Sequence, residues 1–389
     1  MFGFIVWLAS LVTAAVLLLF TLPGTLELVW LTAGAWRRYQ PVPAATRPIK
    51  FAIVIPAHNE SVNIVSTLTH LKQCFPNKGG CDIFVIADNC ADDTADKAHA
   101  SGVNVFVRND LQNRGKGFAL DYAFRRLLEN DYDAFIVIDA DIRVEPNLLV
   151  EFEKYFSHGA DGVQCRYRLS NAQVSTRVRL MDIAFTAFNL VRTLGRENWG
   201  CSVGILGTGF GVSRQSLLTV PYDARSVVED LEHHINMVRV GQRVRFVNNT
   251  TIWSDAPTDD GASAGQRARW EGGRFRMMRE MIPKLATQVL AGQWRLLEPL
   301  FELLLLPLAF HVVLLVACLL HPWLTSYALL ALAVVVWHVL TAVRFTGRGW
   351  SDVLALCAAP FYIFWKLSLA KVLMRGAKKN AEWVRTKRE

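Results

Sequence analysis

A chain of 389 residues with 52% hydrophobic side chains and a positive mean hydropathy is too apolar to be wholly water-soluble, so part of it sits in lipid. Its formal charge of +8 fits nucleic acid, anionic lipid or a phosphorylated substrate, and the position of the charge decides among them. The seven cysteines (Cys74, Cys81, Cys90, Cys165, Cys201, Cys318 and Cys357) form no CxxC pair, and two lie in apolar segments, so neither a zinc site nor a disulfide framework is indicated.

Phe2 to Pro23 is apolar, with no charge before Glu27, and is long enough to cross about 30 Å of hydrocarbon. It has neither the basic start nor the small-residue cleavage site of a signal peptide and reads as a retained anchor. After it, Phe51 to Ile55, Ile83 to Ile86, Val103 to Val107 and Phe135 to Ile138 are short β-rich runs bounded by Pro, Asn, Asp or Gly. Between them, Val62 to Leu71, Thr94 to Ala100 and Gly117 to Leu128 have helical spacing. Such alternation predicts an α/β domain with a mostly parallel sheet covered on both faces, and ligands in these sheets bind beyond the carboxyl ends of the strands. A further helix is expected over Leu231 to Val238.

Leu303 to Leu320 and Trp323 to Val343 are two more spans, expected to form a hairpin through His321-Pro-Trp323. Arg37, Arg38, Arg47 and Lys50 follow the first span, Arg295 precedes the second, and Arg344 and Arg348 follow the third, while the opposite ends carry no Lys or Arg. The positive-inside bias therefore puts residues 37–296 in the cytoplasm, which makes this a multi-pass protein of the cell (inner) membrane. The run Val353 to Trp365 is short and is followed by Lys366, as in a re-entrant or interfacial helix. The basic tail from Arg375 to Glu389 stays cytoplasmic and is attracted to anionic lipid. The expected segments are thus an anchor (1–35), a catalytic α/β domain (48–260), amphipathic interface helices (262–292), a transmembrane hairpin (297–345) and an interfacial helix with tail (351–389).

Chemistry is expected at the strand ends. In Val137-Ile-Asp-Ala-Asp-Ile-Arg143 an apolar strand ends in two carboxylates, and an extended chain would turn Asp139 and Asp141 to one side. Such a pair suits Mg²⁺ or Mn²⁺ completed by water and the oxygens of a nucleotide diphosphate. Equally, paired acids on a turn are often only solvated. Glu229-Asp230 opens the expected helix; acids there complement the helix dipole, or Asp230 is a general base for an acceptor hydroxyl. Gln266-Arg-Ala-Arg-Trp270 begins a basic amphipathic segment that suits a membrane surface, a diphosphate clamp, or both. Asn113-Arg-Gly-Lys-Gly117 lacks P-loop spacing and Gly207-Thr-Gly-Phe-Gly211 is not GxGxxG, although Arg114 and Lys116 can still reach a diphosphate. Because the basic residues cluster beside apolar spans, a nucleic-acid partner is not expected.

The order of these motifs is more specific than any one of them. Val54-Ile-Pro-Ala-His-Asn-Glu60, Ala87-Asp-Asn-Cys-Ala-Asp-Asp-Thr94, Asn113-Arg-Gly-Lys-Gly117, Asp139-Ala-Asp141, Glu229-Asp230 and Gln266-Arg-Ala-Arg-Trp270 together resemble the membrane-bound family 2 glycosyltransferases, the group of cellulose, hyaluronan and poly-N-acetylglucosamine synthases and ceramide glucosyltransferase relatives. The resemblance covers about residues 48–285. It implies a GT-A fold, a divalent metal (Mg or Mn) and an inverting hexosyl transfer from a nucleotide-sugar donor, UDP-linked, forming a β-linkage. By resemblance, Asp88 binds the donor base, Glu60 lies near the nucleoside, and Asp139 contacts the ribose or diphosphate. Asp141 meets the metal, Asp230 is the base with Glu229 beside it, and Gln266, Arg269 and Trp270 hold the diphosphate and the acceptor end. Trp383-Val-Arg-Thr-Lys-Arg388 is similar to a cytoplasmic gating segment, which would give Trp383, Arg385 and Thr386 that role. Only two clear spans follow the catalytic region, fewer than in polymer synthases, which favours one sugar added to a lipid or lipid-linked glycan acceptor among membrane lipids. A processive synthase completed by a partner or an oligomer is the alternative. A scaffold that has lost its chemistry is a remote one, because the full acidic and QRARW set is retained.

Overall fold

The computed structural model describes residues 2–75, 80–223, 228–257 and 260–368, without the side chains of residues 2, 3, 260–271 and 368. The sheet begins with β1 (Phe51–Ala57), β2 (Cys81–Asp88) and β3 (Asn104–Arg108), linked by α2 (Ile64–Cys74) and α3 (Thr94–Ala100). Helix α4 (Lys116–Leu127) then leads to β4 (Ala134–Val137). These are the expected elements, with the carboxyl ends of β1 and β2 extended to Ala57 and Asp88. Ile53 pairs in parallel with Ile83 on one side and with Ile136 on the other. Because β1 and β4 are apolar throughout, both sheet faces are covered.

Helix α2 buries Ile64, Thr67, Leu68 and Leu71, and α4 buries Leu120, Ala123, Phe124 and Leu127, each set at the 3–4 residue spacing of one helix face. They cover opposite faces of the sheet: α4 packs with Val54, Phe135 and Val137, and α2 with Ile53, Ile55 and Ile136. Phe135 is fully buried, and truncating it to Ala would cost about 3–5 kcal/mol.

Past β4 the sheet becomes mixed. Strand β5 (Arg143–Val144), α5 (Leu148–Ser157) and β6 (Gly162–Leu169) come next along the chain. Helix α6 (Thr176–Thr186) runs through a π-helical turn, Ala187–Val191, into α7 (Arg192–Asn198). Strand β7 (Phe210–Ser213), α8 (Arg214–Thr219), α9 (Glu229–Arg239) and β8 (Val244–Ser254) complete the domain. The strand order is β3-β2-β1-β4-β7-β6-β8-β5. Four of its seven pairings are parallel, so the mostly parallel sheet holds with a mixed half. The chain winds outward from β1 to β3 and then returns to the other side of β1 as β4. This reversal creates a crevice beyond the ends of β1 and β4, where such sheets take their ligands.

Helix α1 (Phe2–Ala35) continues through Pro23 well beyond the expected span. With α13 (Thr325–Thr346) it forms the pair of helices long and apolar enough to cross a membrane among the described residues. The expected straight span Leu303 to Leu320 is instead two helices, α11 (Leu297–Leu304) and α12 (Leu308–Leu319), bent by 78°. Pro307 is the cause: it offers no N–H and disfavours helix in the residue before it. The pair is one broken span or a re-entrant loop, while α12 and α13 meet through the turn at His321-Pro-Trp323. The fourth apolar run is broken too, into α14 (Trp350–Ala355), a 3₁₀ turn and α15 (Ala359–Ser368). Helix α10 (Asp260–Leu290) carries the basic amphipathic segment.

The apolar helix α13 and the α/β domain share a core: Ala342 and Val343 of α13 pack in the same cluster as Leu190, Leu194 and Phe210. Helix α1 reaches α7 closely, because a Cβ on Gly195 would lie 2.2 Å from the Leu31 carbonyl oxygen. At that crossing Glu27 accepts from Arg192 and Arg196, each at 2.9 Å and all deeply buried.

Candidate active site

Two carboxylates leave β4 as expected, but the chain does not stay extended. Ala140 and Asp141 form a turn, closed by the Ile142 N–H donating to the Asp139 carbonyl at 3.2 Å. The same-side argument for Asp139 and Asp141 is thereby replaced: the turn presents both at the end of β4. The Asp139 backbone N–H donates to Thr208 Oγ1 at 3.0 Å, and its carboxylate accepts from Lys116 Nζ. Lys116 also donates to the Gly207 carbonyl at 2.7 Å. Lys116 opens α4, so one helix start delivers a cation to the strand end.

Gly207 also faces Asp230: a Cβ built there would lie 3.4 Å from Asp230 Oδ2. Asp139, Lys116, Gly207 and Asp230 therefore converge from four separate elements. Glu229 and Asp230 form the first turn of α9, and Asp230 Oδ1 accepts from the Leu231 N–H at 2.9 Å. Burial and then the neighbouring Asp230 charge push the Glu229 carboxyl up to about 8. Burial likewise raises Asp230, against the hydrogen bond from Leu231 and the charge of Lys116. Each of the two acids thus holds its proton more tightly than a free carboxyl does.

Further along the crevice, Asp88 ends β2 and is buried against Arg108, whose guanidinium reaches it at 2.5 Å. Burial pushes the Asp88 carboxyl up and Arg108 opposes the shift. Arg108 also donates to Asp110 at 3.0 Å and to the Asn113 carbonyl at 2.8 Å, which ties β3 to the loop before Lys116. Asn59 and Asn89 both take positive φ, 56° and 51°, at the ends of β1 and β2. Their side chains bridge the loops: Asn59 Oδ1 accepts from Ala91 N at 2.7 Å, and Asn89 Oδ1 from Asp110 N at 2.8 Å. The Glu60 backbone N–H donates to Thr94 Oγ1 at 2.8 Å, and its carboxylate accepts from Asn63 at 3.1 Å.

The structure thus brings Asp139, Lys116, Glu229 and Asp230 together, with Asp141 on the adjoining turn and Glu60 and Asp88 on the neighbouring loops. Arg114 is exposed and donates to the Leu111 carbonyl at 3.0 Å. Gln266, Arg269 and Trp270 lie in α10, but their side chains are outside the described set; Trp383, Arg385 and Thr386 lie outside the described residues altogether. Sequence reasoning missed Gly207, Thr208 and Arg108. The first two had a signal in the Gly-Thr-Gly turn. Gly209, at φ 65°, would drive a Cβ to 2.4 Å from Ile252 Cδ1, so only glycine fits there. Arg108 had no signal beyond a lone cation at a strand end.

Among the described residues no three His, Cys, Asp or Glu side chains form a metal cage. A small, hard cation that keeps water and phosphate oxygens needs only one or two carboxylates, and Asp139 and Asp141 meet that requirement.

The family profile described as "Glycosyl transferase family group 2" matches residues 134–364. The chain belongs to this family. The family 2 chain is 28% identical over 238 residues to a probable glycosyltransferase, YdaM, of Bacillus subtilis, covering 58% of this chain and 55% of that one. It therefore spans about half the length of that relative. It is 24% identical over 301 residues to the hyaluronan synthase of Streptococcus pyogenes, covering 69% of this chain and 67% of that protein. Its fold is shared with a mannosyltransferase of Pyrobaculum calidifontis solved with GDP-Man and Mn²⁺, at TM-score 0.59 and 16% identity, over 95% of this chain and 97% of that one. The α/β domain accordingly has the GT-A arrangement.

Proposed function

We propose that this family 2 chain is an inverting glycosyltransferase that moves a hexose from a nucleotide diphosphate sugar, UDP-linked, onto a lipid or lipid-linked acceptor, forming a β-linkage. The observation that carries the reading is the convergence of Lys116, Asp139, Gly207 and Asp230 at the crevice beyond β1 and β4. Asp88 takes the donor base, with Glu60 beside the nucleoside and Lys116 near the diphosphate. Asp139 and Asp141 would hold a divalent cation, Mg²⁺ or Mn²⁺, which when bound offsets the charge of the leaving diphosphate. The fold neighbour's GDP-Man and Mn²⁺ support a nucleotide-sugar donor and a metal.

Asp230 accepts the proton of the acceptor hydroxyl as that oxygen bonds to the sugar's anomeric carbon and the bond to the diphosphate breaks. Its raised proton affinity suits a base that must take a proton from a hydroxyl. Glu229 orients its neighbour, and Gln266, Arg269 and Trp270 on α10 close the diphosphate and acceptor end. The apolar helices α1 and α13 support a membrane position with the catalytic domain cytoplasmic, and the basic tail with Trp383, Arg385 and Thr386 covers the site. Segment roles follow the boundaries drawn from the sequence.

The test is transfer from a panel of labelled nucleotide sugars to acceptors in membranes, with and without a chelator. Chelator-sensitive, donor-selective labelling of a lipid fraction is expected. Full transfer in chelator, or labelling of no acceptor with any donor, would overturn the proposal. The likeness to hyaluronan synthase favours a second reading, processive synthesis, and chain length of the labelled product separates the two.

A further inference from the structure

Where α1 and α13 end, a cavity of about 250 Å³ opens between them and the flank of the α/β domain. Trp36, Arg37, Tyr39, Asn248, Arg344 and Phe345 line it. Both helices reach this level as their apolar stretch gives way to basic residues, so a bilayer crossed by α1 and α13 would have its headgroup layer here.

The two arginines lack the carboxylate partner that many arginines of the protein have. Arg108, Arg192, Arg196, Arg243, Arg245 and Arg348 are all paired with carboxylates. Among the described residues, neither the Arg37 nor the Arg344 guanidinium has an ion pair or hydrogen bond to a protein group. Each instead lies over an indole, Arg37 over Trp199 at 4.4 Å and Arg344 over Trp36 at 4.9 Å.

The indoles are themselves fixed. Trp36 Nε1 donates to Thr341 Oγ1 at 3.1 Å, and Trp199 Nε1 donates to the Trp30 carbonyl at 2.8 Å. The polar wall groups are already committed: Tyr39 pairs with the Tyr155 hydroxyl, and Asn248 Oδ1 accepts from Arg166 at 2.7 Å. The neighbouring carboxylate, Glu197, is taken by Arg243 and Arg245. What remains is a pair of oriented guanidinium forks on one cavity, without an anion. Guanidinium forks match phosphate oxygens, and basic pockets between spans at the cytoplasmic surface suit anionic headgroups.

We propose that this cavity holds the phosphate of an anionic membrane phospholipid, clamped between Arg37 and Arg344. The proposal rests on α1 and α13 spanning the bilayer. The bound lipid bridges the two helix ends at the root of the catalytic domain, so it sets how that domain meets the surface from which a lipid acceptor arrives.

The experiment uses full-length protein reconstituted into phosphatidylcholine vesicles with and without phosphatidylglycerol. Flotation tests the membrane reading, and phosphatidylglycerol retained through detergent extraction, measured by native mass spectrometry, tests the site. Wild type should float in both vesicles and retain phosphatidylglycerol over phosphatidylcholine. Arg37→Gln/Arg344→Gln should float as well but lose at least about tenfold of that retention, the forks being the phosphate contacts. Arg37→Lys/Arg344→Lys should lose less, and Arg125→Gln on exposed α4 nothing. Equal retention in the Gln double variant and wild type would overturn the site, as would displacement by inorganic phosphate at the concentration of the lipid. Failure of wild type to float would instead overturn the membrane reading.

Discussion

Removing the charge of Glu27 tests how α1 is coupled to the catalytic domain. In Glu27→Gln, Arg196 keeps Glu298 and Glu302, each at 3.6 Å, but Glu27 is the one carboxylate ion-paired to Arg192 among the described residues. One guanidinium is therefore left buried without its ion-paired carboxylate, and Arg192 is only 4% exposed. Breaking a buried pair in this way costs about 3–5 kcal/mol. Each 1.36 kcal/mol is a factor of ten, so local opening of α7 should rise by roughly 10²–10⁴. Hydrogen exchange of the Arg192–Asn198 amides in detergent reads this directly. The same opening should reach Gly207, since α7 leads into the segment that holds Lys116. Unchanged exchange in α7 would refute the reasoning, because a pair that can be broken without cost is not holding the crossing.

Lys116→Met removes the cation that binds Asp139 and Gly207; donor affinity should fall at least about tenfold with the sheet intact, measured by donor titration and circular dichroism. Unchanged affinity would take Lys116 out of the donor site. The Glu229 and Asp230 pair predicts an acid limb in the transfer rate above the ordinary carboxylate range, because the base must be ionised and both groups hold their protons tightly. Glu229, held protonated to about 8, carries no charge as Asp230 ionises, so Glu229→Gln should leave that limb in place. For stability the sign is opposite: a raised carboxyl contributes fully below its ordinary 4.5 and loses that contribution as pH rises through about 8, so unliganded protein should melt lower across that window. A flat melting profile there would contradict the buried pair.

The first half of the sheet was legible because β1, β2 and β4 are apolar runs cut by His58-Asn59, Asp88-Asn89 and Asp139, and α3 came out with its expected ends. Strands β6 and β8 were not read: Gln164, Arg166 and Arg168 in one, and Asn248 and Asn249 in the other, interrupt the apolar pattern, and their pairing is long-range. At the site, residue type was readable while geometry was not. Asp139 and Lys116 are 23 residues apart and meet only because α4 packs beside β4. The Gly207-Thr-Gly-Phe-Gly211 stretch failed the dinucleotide pattern and was set aside, although its glycines serve the close approach to Ile252 and Asp230. The bend at Pro307 was visible as a residue but not as an outcome, since apolar composition alone fits a straight or a broken helix equally.

The most direct test of the account compares donor binding with single-turnover transfer in Asp230→Asn. The substitution keeps size and an oxygen for the Leu231 N–H but cannot accept the acceptor's proton. Donor affinity should survive while transfer falls by about 10²–10⁴. Parallel loss of binding and rate would make Asp230 structural, and a retained rate would contradict its role as the base.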